Sequence, residues 1–211
     1  MQLVLKNIDP DYISDTSYSD IWNKEITVTK GEHVHIIAPS GSGKTSLIHF
    51  IYGLRTDYKG SIVHDGKNIK NLRAEKKATV RQNSMSIIFQ DLRLFDDHTA
   101  LENIEVKRKL NPFHPPEMIY EMATRMGVAN KLPQVIKTCS YGEQQRIAII
   151  RSLMQPFDFL LLDEPFSHLD EENRTKAMEL LLEECEKRKA AMIFADLKEL
   201  DMLKNEKILY L

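Results

Sequence analysis

Apolar and polar positions alternate at the start of the chain, with Leu3 and Leu5 on one side of a period of two. Ile26 and Val28 repeat the pattern before a Lys30-Gly31-Glu32 turn. Such alternation puts the apolar side chains on one face of an extended backbone, so residues 1–35 read as short strands. His33 to Ile37 form a strand that runs into a glycine- and serine-rich loop. From Lys44 to Tyr52 the period lengthens. Leu47, Ile48 and Ile51 share a helical face, and Gly53 supplies a stop. Ser61-Ile62-Val63-His64 and the residues after Asp65-Gly66 make a hairpin, because Asp-Gly suits a two-residue turn.

Ser86-Ile87-Ile88-Phe89 is a third core strand. From about Asp91 to Pro156 the pattern is mostly helical, punctuated by prolines at 112, 115, 116 and 133. Strands return at Phe157–Leu162 and Ala191–Ala195, with a Lys/Glu-rich helix at Asn173–Lys189 between them. Apolar strands alternating with helices imply a largely parallel sheet covered on both faces. The expected fold class is therefore α/β, as a single unit over 1–211. It has an antiparallel β flank at the N-terminus and an inserted helical subdomain at about 91–156.

Composition narrows the functions available. The chain has 211 residues and a formal charge of -2, so no global field recruits nucleic acid or an anionic membrane. Cys139 and Cys185 are the two cysteines and have no paired spacing, which fits a reducing cytoplasm. The N-terminus lacks the pattern of a signal peptide. No apolar run approaches the roughly 20 residues that cross a bilayer. Membrane association is expected to come through a partner.

Two segments carry phosphate chemistry. Ala38-Pro39-Ser40-Gly41-Ser42-Gly43-Lys44-Thr45, followed by Ser46, lies after a strand and opens a helix. Consecutive N–H groups at such a start form a nest for phosphate oxygens, and the helix dipole adds to it. Lys44 is expected to reach the β- and γ-phosphates of ATP, and the Thr45 hydroxyl to bind Mg²⁺. Ala38 stands where a glycine is usual; Pro39 biases it toward an extended conformation that alanine tolerates. The second segment is Phe159-Leu160-Leu161-Leu162-Asp163-Glu164, a buried strand with two carboxylates at its carboxyl end. Asp163 is expected in the Mg²⁺ shell and Glu164 as the residue that polarises the attacking water.

A third segment, Cys139-Ser140-Tyr141-Gly142-Glu143-Gln144-Gln145-Arg146, resembles the signature of the ATP-binding cassette family. Cys139 and Tyr141 depart from its usual leucine and first glycine, while the serine and second glycine are kept. Ser140 with Glu143 is also a capping box, and both readings can hold together. The resemblance implies a phosphate-loop NTPase core of the cassette type. It also implies a homodimer in which Ser140 and Gly142 touch ATP held by the other copy. Gln90 matches the family's glutamine loop, which touches Mg²⁺ and water, and Ser167-His168-Leu169-Asp170 matches the loop crossing the dimer interface. Tyr12 is placed like the adenine-stacking aromatic, with Tyr18 as a second candidate. Residues 94–104 are similar to those of cassettes of the lipoprotein-releasing, macrolide-exporting and cell-division type.

The implied function is ATP hydrolysis that powers a separate membrane permease, from the inner face of the cell membrane. Alternatives are an ATP-sensing structural subunit with little hydrolysis and a soluble, non-transport cassette ATPase. The short span between Gln90 and Ser140 leaves no room for the coiled coil of chromosome-type members. The family's histidine after the last core strand is replaced here by Ala195, which implies slow hydrolysis. His33 and His35 share a strand face without a third ligand nearby, so a structural role is expected. The basic stretch from Lys67 to Arg81 is expected to be a solvated loop or helix.

Overall fold

In the computed structural model, residues 1–13, 18–199 and 207–211 are described. The apolar run Phe159–Asp163 is the centre of the design. All five residues are buried, and the strand they form pairs in parallel on both sides. The strands, in chain order, are β1 (Gln2–Pro10), β2 (Glu25–Thr29), β3 (His33–Ile37), β4 (Tyr58–His64), β5 (Lys67–Asn68) and β6 (Met85–Ile88). They are followed by β7 (Phe159–Asp163), β8 (Ala191–Asp196) and β9 (Lys207–Tyr210). The helices are α1 (Lys44–Ile51), α2 (Ala74–Asn83), α3 (Ala100–Leu110), α4 (Glu117–Arg125), α5 (Tyr141–Leu153) and α6 (Glu171–Arg188).

Two sheets result. The parallel core has the order β6-β7-β8-β3-β9, and an antiparallel sheet of order β2-β1-β4-β5 flanks it. A buried strand sends alternate residues to opposite faces. Leu160, Leu162, Met192 and Phe194 accordingly pack with α3 to α6. Phe159, Leu161, Ile193 and Ala195 pack with α1 and the antiparallel sheet. β3, β6, β7 and β8 therefore bury residues on both faces, which explains their nearly unbroken apolar sequences.

The expected elements are found with small changes at their ends. The strand expected from Phe157 begins at Phe159, because Asp158 is drawn into an ion pair with Lys30. The helix expected from Asn173 begins at Glu171, since Asp170 accepts the Asn173 N–H and caps it. The basic stretch contains α2, which buries no residue. β9 was not anticipated. It is a four-residue edge strand with no fully buried position, so it carries little period-two signal. His35 is wholly buried beside Phe194, ring centroids 4.7 Å apart, and burial pushes its pKa down to about 4.

Candidate nucleotide site

β3 delivers the phosphate loop to the carboxyl edge of the core sheet, where the Ala38 N–H donates to the Asp196 carbonyl at 3.1 Å. The turn into α1 is made by Gly43 at φ 102. A Cβ there would lie 2.7 Å from Ile13 Cδ1 and 3.1 Å from Trp22 Cζ2, so glycine is demanded by both dihedral and space. α3, α5 and α6 each have a side-chain cap. α1 has none, and no acidic residue sits in its first turn. Its dipole and leading amides are thus left for an anion. Lys44 is 5% exposed and folds back over the loop, its Nζ donating to Ala38 O at 2.9 Å and Pro39 O at 3.0 Å.

The carboxylates of β7 meet this loop from the neighbouring strand end. Thr45 Oγ1 lies 3.2 Å from both Gln90 Oε1 and Asp163 Oδ1. Gln90 Nε2 donates to Glu164 Oε2 at 3.3 Å, and Glu164 Oε1 lies 3.4 Å from Lys44 Nζ. Glu164 has φ 45, left-handed for a non-glycine residue, and its N–H donates to Ala195 O at 2.9 Å. Such backbone strain persists only where the surroundings hold it, and it commonly marks functional positions. Asp163 is fully buried, and burial pushes its pKa up to about 6 against the Thr45 hydrogen bond. Its Oδ2 is buried with no hydrogen-bond partner. An unpaired carboxylate oxygen beside hydroxyl and amide oxygens is the donor chemistry that suits Mg²⁺.

Two adjoining clefts line up along this edge. One, of about 240 Å³, is lined by Tyr12, Ser40, Gly41, Gly43, Lys44, Thr45, Ser46, Gln90 and Glu164. The other, of about 450 Å³, joins Thr45, Gln90, Asp163 and Glu164 to Tyr141, Ser167 and His168. Ala38, Pro39 and Ser42 line neither. The first two act through carbonyls that hold Lys44, and Ser42 Oγ donates to Pro39 O at 2.8 Å. Tyr12 borders the phosphate loop, whereas Tyr18 is 91% exposed and borders neither cleft. Ser140 and Gly142 stay outside both clefts.

The signature segment is tied to the site within one chain. Ser140 Oγ and the Glu143 side chain form the expected capping box of α5. A Cβ on Gly142 would come within 3.0 Å of the His168 carbonyl oxygen. Buried Gln145 accepts the His168 N–H at 3.1 Å and reaches Glu164 O and Ser167 Oγ at 3.5 Å each. Sequence reasoning passed over Gln145. A polar residue among the apolar positions of a helix was its only signal, and burial gave it meaning.

Known proteins resemble this chain in sequence and fold. Residues 22–167 match the family model described as ABC transporter. The chain is 31% identical over 182 residues to the ABC transporter ATP-binding protein YxdL of Bacillus subtilis, covering 85% of this chain and 71% of that one. It is 31% identical over 172 residues to the lipoprotein-releasing system ATP-binding protein LolD of Legionella pneumophila, covering 80% and 76%. The solved dimeric ATP-binding cassette MJ0796, bound to ADP and Pi, superposes with a TM-score of 0.85 over 99% of this chain and 94% of that one. At 24% identity that likeness speaks to the fold alone. Phosphate loop, carboxylate-tipped strand, signature helix and matched sequence agree: this chain belongs to the ABC transporter ATP-binding family.

Proposed function

We propose that this chain is the ATP-hydrolysing subunit of a transporter whose membrane permease is a separate protein. In this reading two copies close on two Mg-ATP molecules. The observation that carries it is the convergence of Lys44, Thr45, Gln90, Asp163 and Glu164 on one cleft edge, with Asp163 Oδ2 buried and unpaired. Thr45, Gln90 and Asp163 would hold Mg²⁺, which supplies charge neutralisation at the β- and γ-phosphate oxygens. Amides of residues 40–45 would cradle the phosphates at the head of α1, and the Tyr12 ring would stack on adenine.

Lys44 is now shared between two loop carbonyls and Glu164. A triphosphate would draw its ammonium onto the β- and γ-oxygens and free Glu164. Glu164 then accepts a proton from the attacking water. A new P–O bond forms at the γ-phosphorus as the bond to ADP breaks. From the second copy, the Ser140 hydroxyl and the Gly142 N–H would meet the same γ-phosphate at the head of α5.

Among the described residues no helix is long and apolar enough to cross a membrane. Exposed apolar side chains at Phe95, Val106 and Leu110 follow Gln90 in the chain, which supports permease docking there. Ala195 is wholly buried at the end of β8 and presents only its carbonyl to Glu164. Loss of a charge-stabilising group at this point costs on the order of 3 kcal/mol, or about a hundredfold in rate. We therefore read hydrolysis as slow. The second reading, an ATP-sensing subunit without turnover, draws on the same Ala195. Phosphate release from Mg-ATP separates them. Slow release that is abolished in Lys44→Ala and Glu164→Gln, and faster in Ala195→His, supports an ATPase. No release with or without the membrane partner supports the sensor.

A further inference from the structure

Arg55 lies outside every motif above, yet its guanidinium makes several contacts at the edge of the site, including one over the Phe50 ring at 5.5 Å. Nε donates to Asp57 Oδ1 at 3.0 Å, and a second nitrogen pairs closely with Asp57 Oδ2. The third donates to Ser46 Oγ, on α1, at 2.8 Å. The plane carbon sits 4.8 Å from the centroid of the Tyr12 ring. Tyr12 itself follows β1, and among the described residues its neighbours make two long main-chain bonds, Asp11 N to Asp57 O at 3.5 Å and Ile13 N to Pro10 O at 3.4 Å. The residue is 49% exposed.

A half-exposed tyrosine outside regular structure samples several rotamers, and fixing it on binding costs affinity. A guanidinium anchored by a carboxylate fork cannot follow those rotamers, and its attraction to one ring face holds the ring in place. Tyr12 also lines the cleft beside the phosphate loop. We propose that Arg55 is a positioning residue that braces Tyr12 as a platform for the nucleobase and locks that platform to the phosphate-binding helix through Ser46. This rests on the reading of Tyr12 as the base-stacking residue. Asp57 belongs to the same device, because it fixes the plane of Arg55.

The test compares a ligand with a base to one without, using calorimetric titration of the full chain with Mg-ADP and Mg-pyrophosphate. Arg55→Ala is expected to weaken Mg-ADP about fivefold, from loss of the cation over the ring, and to leave Mg-pyrophosphate unchanged. Tyr12→Ala is expected to weaken Mg-ADP about tenfold with the same selectivity. The double variant should lose no more than Tyr12→Ala alone, because Arg55 acts through Tyr12. Should Arg55→Ala fail to fold, Asp57→Asn is expected to show the selective loss in milder form. Equal weakening of both ligands, no weakening of either, or additive losses would overturn the role of Arg55 while Tyr12 keeps its own. If Tyr12→Ala leaves Mg-ADP binding intact, the platform reading falls first and the inference with it.

Discussion

The Tyr141 hydroxyl donates to the main-chain carbonyl of Gln90 at 3.4 Å, while the Tyr141 ring stands edge-on to His168 with centroids 4.2 Å apart. A side chain that replaces a family glycine thus folds back onto its own chain. It links the start of α5 to Gln90 and to the loop that carries His168. At 3.4 Å the hydrogen bond is long, so the ring contact is the stronger part of the bridge.

Position 141 is therefore predicted to be tolerant and position 142 strict. Tyr141→Gly should lower stability by about 1 kcal/mol, from lost ring packing and a glycine in the first helical turn, and keep ATP-dependent dimerisation. Gly142→Ala puts a methyl group 3.0 Å from the His168 carbonyl and should impair both stability and dimerisation. Urea denaturation with sedimentation in Mg-ATP checks both. Equal tolerance at the two positions would contradict the packing.

Much of this was legible from residue order, because phosphate chemistry needs backbone N–H groups, a lysine, a hydroxyl and carboxylates at strand ends. The apolar runs of β6, β7 and β8 likewise declared a buried parallel sheet. Hidden features depend on contacts between distant residues. Arg55 and Ser46 are nine positions apart, and Gln145 meets His168 across 23. Neither pair leaves a periodic trace. β9 was unmarked, and the α2 stretch stayed open between solvated loop and helix, for a related reason: α2 buries no residue, β9 is only partly covered, and tertiary position outweighs local pattern there.

Asp163 is predicted to be held at a cost to stability. Its carboxyl ionises at about 6 when folded and at 3.8 ordinarily. Between those values the folded chain holds a proton the unfolded chain lacks, so stability falls as pH rises, and the full penalty stands at neutral pH. Asp163→Asn should add about 2 kcal/mol and about 4–8 °C to the Tm of the nucleotide-free protein at pH 7.5. The same variant should lose the further rise in Tm that Mg-ATP gives the parent chain. A lower Tm without nucleotide would contradict the account.

Glu184 is predicted to have the opposite pH behaviour. Burial alone would raise its pKa, but hydrogen bonds from His114, Lys187 and Arg188 outweigh it and hold the carboxyl at about 2. Arg188 also donates to Leu153 O at 2.8 Å, so this cluster fastens α6 to the end of α5. A depressed pKa stabilises above the ordinary 4.5, and that contribution is lost as pH falls toward 2. Glu184→Gln leaves buried Arg188 without its counter-charge and should cost about 3 kcal/mol. Urea midpoints at pH 7 and pH 3 check this, with the gap between variant and parent chain narrowing at pH 3.

The proposed hydrolytic cycle depends on ATP being gripped from two chains. The most direct measurement is the sedimentation mass of Glu164→Gln in saturating Mg-ATP, because removing the proton acceptor leaves bound triphosphate intact. The account predicts a dimer that reverts to monomer when Ser140→Ala is added or Mg²⁺ is chelated. A Glu164→Gln chain that binds Mg-ATP and stays monomeric at every concentration would contradict it.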